Sequence, residues 1–496
     1  MKRLLFAALL LASPALAYDP PIGIPAPSFG IDETVADGTY THWVDSTHGS
    51  CSDATDGTPA APRCTLPFVI TLTAGDVVQV RGGPYDFTAS QPKTWTAPCT
   101  VGSPCYIRGP ALPAAKPVLT FGNTRYVTLV ASYLIVENLE MVSGNIDIGA
   151  TSDHVSIRHF YLHDNPSGPG SMVGNSGDDF VLYDSEIAYN GVIPSAPDDH
   201  GFQTYANTTN IWVLENSFHH NSGDAIQFCH GCVGAGTGPT DVYIGGNIMH
   251  DDEENCIDIK EFRGRVVISE NECYGYVASA GSAGEAVRIN DEGAQGEVWF
   301  INNYIHDSVA CIAPYNANAD VYILGNFFDT CDRGIMFAPN SGVFVVHGNT
   351  ISNITNIAMD ADDAVAVDFQ GNIIQDAGIS IDGTNVSSCN NNLFYETTGS
   401  PVVDATCTST QNDVDPLLNT STGRISAGSP AIANGVTHAA YGTYLSSYSL
   451  NIQTDRDGTT RPQDGTWEIG ADELPTVVPP TVIGKFCVGA VCWPLN

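Results

Sequence analysis

The run 251–265 reads DDEENCIDIKEFRGR and gathers most of the residue types that acid–base or metal chemistry requires. Five consecutive acid or amide side chains, 251–255, precede Ile257-Asp258-Ile259-Lys260, and Arg263 and Arg265 follow. The whole chain has 18 Lys+Arg against 55 Asp+Glu, so three basic residues in this short run stand out. The alternation is that of a half-buried strand and puts Asp258 and Lys260 on one outward face. Carboxylate and amide oxygens are hard donors that suit calcium. A lysine beside them can take up a proton only if cations lower its pKa, because the surrounding acids push the other way.

A second strand motif recurs through the middle of the chain. It reads HGFQTY (200–205), DAIQFC (224–229), NCIDIK (255–260), EAVRIN (285–290), ACIAPY (310–315) and RGIMFA (333–338). Aligning the apolar positions turns the outward ones into columns. One holds Gln203, Gln227, Asp258, Arg288 and Ala313; the next holds Tyr205, Cys229, Lys260, Asn290 and Tyr315. Neighbouring strands of a sheet lie about 4.8 Å apart and alternate residues about 6.7 Å apart. Lys260 and Arg288 then sit on one short diagonal and can converge on a single sugar. The catalytic candidates are Lys260, Arg288 and His200. Gln203, Tyr205, Gln227, Arg263, Arg265, Asn290 and Tyr315 are the substrate-binding candidates. Asp224, Glu253, Glu254, Asn255 and Asp258 form the pool of calcium ligands. His219, His220, His250 and His306 fall at repeat turns and read as decoration of the turns.

These strands need a repeating scaffold, and the sequence supplies one. DVYIGGNIMHD (241–251), EVWFINNYIHD (297–307), DVYILGNFFDT (320–330) and VFVVHGNTISN (343–353) are copies of one pattern. Asn216, Asn247, Asn271, Asn303, Asn326, Asn349, Asn372 and Asn392 align, with three successive spacings of 23. Such an asparagine column is structural: Asn tolerates left-handed backbone and its side chain can bond to its own copy one rung away. Strand repeats of this length without helical periodicity predict a coiled parallel sheet.

With these repeats the chain resembles the pectate-lyase-like superfamily. The resemblance covers about residues 118–400 and implies an all-β, right-handed parallel β-helix, a solenoid of about ten rungs with capped ends. Two flanks agree: HWVDSTHGSCSDATDG near the start, and SAGSPAIANG with DRDGTTRPQDGTWEIGADE near the end, are similar to the opening and closing segments of secreted β-helix proteins. A Lys and an Arg on adjacent rungs beside acidic ligands resemble the alginate and chondroitin lyases of this superfamily. That implies β-elimination on a uronic-acid glycan, assisted by Ca2+. SGDD (176–179) and DDHG (198–201) resemble, in part, the polygalacturonase family, which makes hydrolysis through Asp198, Asp199 and Asp224 the second reading. Epimerisation shares the proton-abstraction step, and a glycan-binding adhesin is the non-enzymatic alternative.

Composition sets the context. A formal net charge of −37 argues against nucleic acid or anionic membranes as partners. Residues 1–17, with Lys2, Arg3, an apolar stretch 4–12 and Ala15-Leu16-Ala17, read as a secretory signal peptide. No other stretch is long and apolar enough to insert into a membrane, and a secreted monomer acting on an acidic polysaccharide is expected. The 14 cysteines then predict disulfides, with Cys51–Cys64, Cys99–Cys105, Cys229–Cys232, Cys389–Cys407 and Cys487–Cys492 as close pairs. The pairing of Cys256, Cys273, Cys311 and Cys331 stays open. The expected domains are an N-terminal cap and first rungs (18–117), the β-helix with its closing segment (118–474), and a Pro-rich linker with a small Cys hairpin (475–496).

Overall fold

The computed structural model describes residues 18–475 and the strands Lys485–Val488 and Val491–Pro494. It excludes 55–56, 67–68, 89–92, 123–125, 167–169, 195–197, 229–236, 291–294, 316–317, 338–341, 362–365, 384 and 398–406. The signal-peptide expectation and Cys229–Cys232 therefore lie outside the described residues. Thirty-eight strands form one continuous sheet in which each strand pairs in parallel with strands one coil away. This is a parallel β-helix, and parallel crossovers of L-residues are right-handed.

Three faces make each coil. The first sheet runs from Val69–Thr71 to the end of Ile373–Asp382 and holds thirteen strands in unbroken parallel pairing. The first two of these strands precede residue 118. The early rungs lack the asparagine signal: Leu139, Phe160 and Ser185 follow the left-handed residues Asn138, His159 and Asp184 at the position later taken by Asn216.

The inward residues Phe202, Ile226, Phe228, Ile257, Ile259, Val287, Ile289, Ile312 and Ile335 are all fully buried and join one core that extends along the coil. The asparagines form a continuous ladder: the Nδ2 of Asn247, Asn271, Asn303 and Asn326 donates to the Oδ1 of the next Asn at 2.9–3.0 Å. The left-handed residue is not the asparagine, however, but the one before it, as at Glu215, Glu270 and Asn302. That turn aims each amide along the axis, where its copy is the nearest partner.

The second sheet carries the covering segments. Residues 18–33 run along its outer side, with Pro25 O accepting from Trp212 Nε1 (2.8 Å) and Ile31 O from Arg158 Nη1 (2.7 Å). The helix Ala439–Tyr448 lies over the same side, where Tyr444 packs edge-on against Trp299. Its N-terminus is closed by His438, which accepts from Ala440 N, and its end by the left-handed Ser449. Described disulfides join Cys51–Cys64, Cys99–Cys105 and Cys389–Cys407 as expected, and also Cys256–Cys273 and Cys311–Cys331. Bonds of this number belong to chains that fold in an oxidising compartment. Cys487 and Cys492 are in register in an antiparallel pair of strands. Among the described residues no helix is long and apolar enough to cross a membrane.

Candidate active site

The strands His200–Thr204, Ile226–Phe228, Ile257–Ile259, Glu285–Asn290 and Ala310–Tyr315 lie side by side on the first sheet. Their register pairs Gln203 with Gln227, Gln227 with Asp258, Asp258 with Arg288, and Arg288 with Ala313. The outward column is therefore real. Its floor is buried all the same: Gln203, Gln227 and Asp258 are each at most 4% exposed. Gln203 Nε2 donates to Gln227 Oε1 (2.6 Å), and Gln227 Nε2 donates to Asp224 Oδ2 (2.9 Å). These amides form a rigid polar strip leading to the acids.

Asp224 is fully buried, and its Oδ1 accepts the Asn255 backbone N–H (3.1 Å). His200 Nδ1 accepts the Asp224 backbone N–H at 2.9 Å. The ring also lies 3.3 Å from Asp224 Oδ2, but an accepting Nδ1 cannot donate there. With Nδ1 accepting the backbone N–H, the ring N–H sits on Nε2.

Asp258 is the centre of the site. Its Oδ2 lies 2.9 Å from Lys260 Nζ, while its buried Oδ1 has no hydrogen-bond partner. One rung on, the Nε of Arg288 is also buried without a partner. Burial first, then the Asp224 charge, pushes Asp258 up to about 6. Burial likewise raises Glu254 to about 8, helped by Asp224 and by a hydrogen bond with Asp198. The loop 277–284 is the cause: a Cβ at Gly281 would come within 1.6 Å of Glu254 Oε1, so the glycine lets the loop strip water from this carboxylate. Lys260 is half-buried, which alone would lower its pKa, but Asp258, Asp224 and Glu254 outweigh burial and raise it.

The substrate-binding candidates divide. Tyr205 and Tyr315 are half-buried at the two ends of the column. Tyr315 shares a hydrogen bond with Glu285, and its ring lies 5.8 Å from the Arg288 guanidinium. Asn290 is in register with Tyr315. Arg263 and Arg265 leave the site. They open the strand Arg263–Ser269 of the second sheet, where Arg265 stacks on Tyr448 (3.9 Å) and lies 3.4 Å from Asp241. The turn after Lys260 ends the first sheet, so these arginines face a different side of the coil.

Of the calcium pool, Asp224, Glu254 and Asp258 share one electrostatic neighbourhood around Lys260. Asn255 is buried, with its amide nitrogen committed to Ser282 Oγ (3.2 Å) and Glu285 O (2.5 Å). Glu253 lines a separate cavity with Asp251, Ile193 and Val277. Among the described residues, three-donor groupings within 4.8 Å occur only at His220–His250–Asp251 and Asp455–Asp457–Asp472. The pool is thus acidic and of the right donor chemistry but not a finished cage.

Sequence reasoning missed Asp147. It sits in the same column, in register with Gly174, which pairs in turn with Gln203. Burial pushes it up to about 6. Gly174 leaves the space in which Asp147 Oδ1 and the Tyr205 ring meet. The available signal was Ile146-Asp147-Ile148, the same alternation as Ile257-Asp258-Ile259.

Neither a family model nor a curated protein sequence matches the chain. Several solved structures do. The chain is similar to pectate lyase Pel9A (14% identity, TM-score 0.44, 87% of this chain and 96% of that one). A rhamnogalacturonan lyase aligns at 13% identity and TM-score 0.40, over 76% and 87% of the two chains. The GH136 lacto-N-biosidase from Eubacterium ramulus aligns at 14% and 0.39, over 75% and 68%. The likeness is one of architecture at this level, and the fold stands on the strand register itself.

Proposed function

We propose that the chain is a secreted polysaccharide lyase that cleaves an acidic, uronate-containing glycan by β-elimination on the first sheet. One observation carries this reading: Lys260 and Arg288, from neighbouring rungs, flank the buried Asp258 on a protein whose net charge is −37. An anionic polymer can dock on so acidic a surface only where cations are concentrated. In the elimination, a base takes the proton next to the sugar carboxylate, the electron pair forms the ring double bond, and the glycosidic oxygen leaves with a proton from an acid.

Arg288 pairs with the sugar carboxylate and stabilises the charge that builds on it. Lys260 takes the proton next to the sugar carboxylate once the surrounding acids are neutralised, and the ammonium so formed gives that proton to the leaving oxygen. His200 holds the Asp224 backbone and is the alternative proton-transfer group. Asp224, Glu254 and Asp258 would hold a calcium ion, which would supply neutralisation of the sugar carboxylate and of the acids around Lys260. The amide strip Gln203–Gln227, with Tyr205 and Tyr315, is suited to aligning successive sugars.

One feature favours hydrolysis as a second reading: Glu254, protonated to about 8, hydrogen-bonds Asp198 beside Asp224. A carboxyl raised into the neutral range is suited to the general-acid role of glycosidases. The assay that separates the readings offers uronate polymers and neutral glycans to the purified chain. New ultraviolet absorbance from an unsaturated uronate, suppressed by chelator, supports calcium-assisted elimination. Reducing ends without that absorbance favour hydrolysis. Binding with neither product favours an adhesin and refutes both enzymatic readings.

A further inference from the structure

The third sheet carries a cluster outside this groove. The strands Ser217–His219 and Ile248–His250 pair in register, Phe218 with Met249 and His219 with His250. The next residue on each rung is left-handed, His220 at φ 57° and Asp251 at φ 56°. Both chains therefore turn the same way at the same height, and residue 220 is set over residue 251. Donor atoms of His220, His250 and Asp251 all lie within 4.8 Å of one another.

We propose that these three residues bind a borderline divalent metal ion, of which zinc is the representative. Two imidazoles and one carboxylate with an open fourth position are a zinc donor set, whereas calcium and magnesium require mainly oxygen. The site is held from both sides. The His250 ring is stacked between His219 (5.1 Å) and Tyr274 (4.8 Å). His219 Nδ1 faces His220 Nδ1 at 3.1 Å, and its Nε2 lies 3.3 Å from Glu186 Oε1, so the ring next to the site is itself oriented by a carboxylate. His250 Nδ1 lies 2.9 Å from Asp251 Oδ2, a contact that a bound ion would bridge. The neighbouring Asp252 takes no part: its Oδ1 accepts from Asn221 and its Oδ2 from Tyr276 in the interior.

The His-Asp pair alone does not make the site. It recurs as His163–Asp164 (2.9 Å) and His306–Asp307 (2.7 Å). What distinguishes 250–251 is the preceding rung, which offers His220. Opposite Asp307 the preceding rung has Gly275, which can donate only its backbone N–H.

The test uses the full chain, stripped with chelator and dialysed, and titrated with zinc chloride by calorimetry. Cobalt(II) absorbance then reports the coordination geometry. One saturable equivalent is expected. His220→Asn and Asp251→Asn keep residues that accept left-handed backbone, and His250→Gln keeps the ring's bulk in part. Each should weaken zinc by at least about tenfold, and zinc should raise the melting temperature of the wild type but not of the double variant His220→Asn/His250→Gln. His306→Gln, which repeats the pair without the third donor, should bind as the wild type does. Asp258→Asn should also bind normally, since the groove is on another face. The proposal is overturned if zinc fails to saturate at one equivalent, if the double variant still binds, or if His306→Gln loses binding equally.

Discussion

Asp258 is a buried carboxylate kept at a cost, and replacing it with Asn should make the protein more stable. Its pKa lies at about 6 against an ordinary 3.8, with burial the largest cause. An aspartate raised in the folded state binds its proton more tightly there than when unfolded. The penalty therefore grows as pH rises from 3.8 and is complete above about 6. That difference corresponds to about 3 kcal/mol at pH 8. The Asp258→Asn substitution removes it, and the favourable pair with Lys260 is already contained in that net figure. The expectation is a gain of about 3 kcal/mol at pH 8, which shrinks below about 1 kcal/mol at pH 4 because the wild-type carboxyl is then protonated. Chemical denaturation at both pH values measures this, and glycan cleavage by the same variant should be lost. A variant less stable at pH 8 than the wild type would show that the Lys260 pair is a net structural asset and would refute the reasoning.

Other outcomes are expected from the same structure. Lys260→Ala and Arg288→Ala should each abolish glycan cleavage with the fold retained by circular dichroism. Because Lys260 is 37% exposed, its loss should cost about 1 kcal/mol or less in denaturation. Asn303→Ala breaks the ladder mid-coil, where its Nδ2 donates to Ile268 O and Asn326 Oδ1. It should cost about 2–4 kcal/mol, clearly more than Asn392→Ala at the end of the ladder. Arg265→Ala should destabilise the docking of the helix Ala439–Tyr448, read as faster proteolysis of that segment, while leaving glycan cleavage unchanged. Loss of cleavage in that variant would return Arg265 to the groove.

Much of the fold was legible because it repeats. A side chain that recurs at one position of every coil must meet its own copies, so the asparagine ladder and the column Gln203–Gln227–Asp258–Arg288 could be read without coordinates. The same logic failed where the repeat changes its signal. The early rungs carry Leu139, Phe160 and Ser185 at the ladder position, so the asparagine column does not mark them. Arg263 and Arg265 count as groove candidates because cations are scarce in this chain, yet the turn after Lys260 moves them to another face of the coil.

The sequence alone determined the period, the inward apolar positions and the outward polar column, since these depend only on alternation and register between equivalent strands. It did not determine which outward groups are wet. The burial of Asp258, the protonation of Glu254 beneath the loop at Gly281, and the fixed orientation of His200 all depend on segments far away in the chain. Nor could it show that His220, His250 and Asp251 converge, because that follows from two left-handed turns at matching heights on rungs 31 residues apart. Periodicity specifies which residues share a column; the desolvation and proximity that give a column its chemistry arise only when the loops close over it.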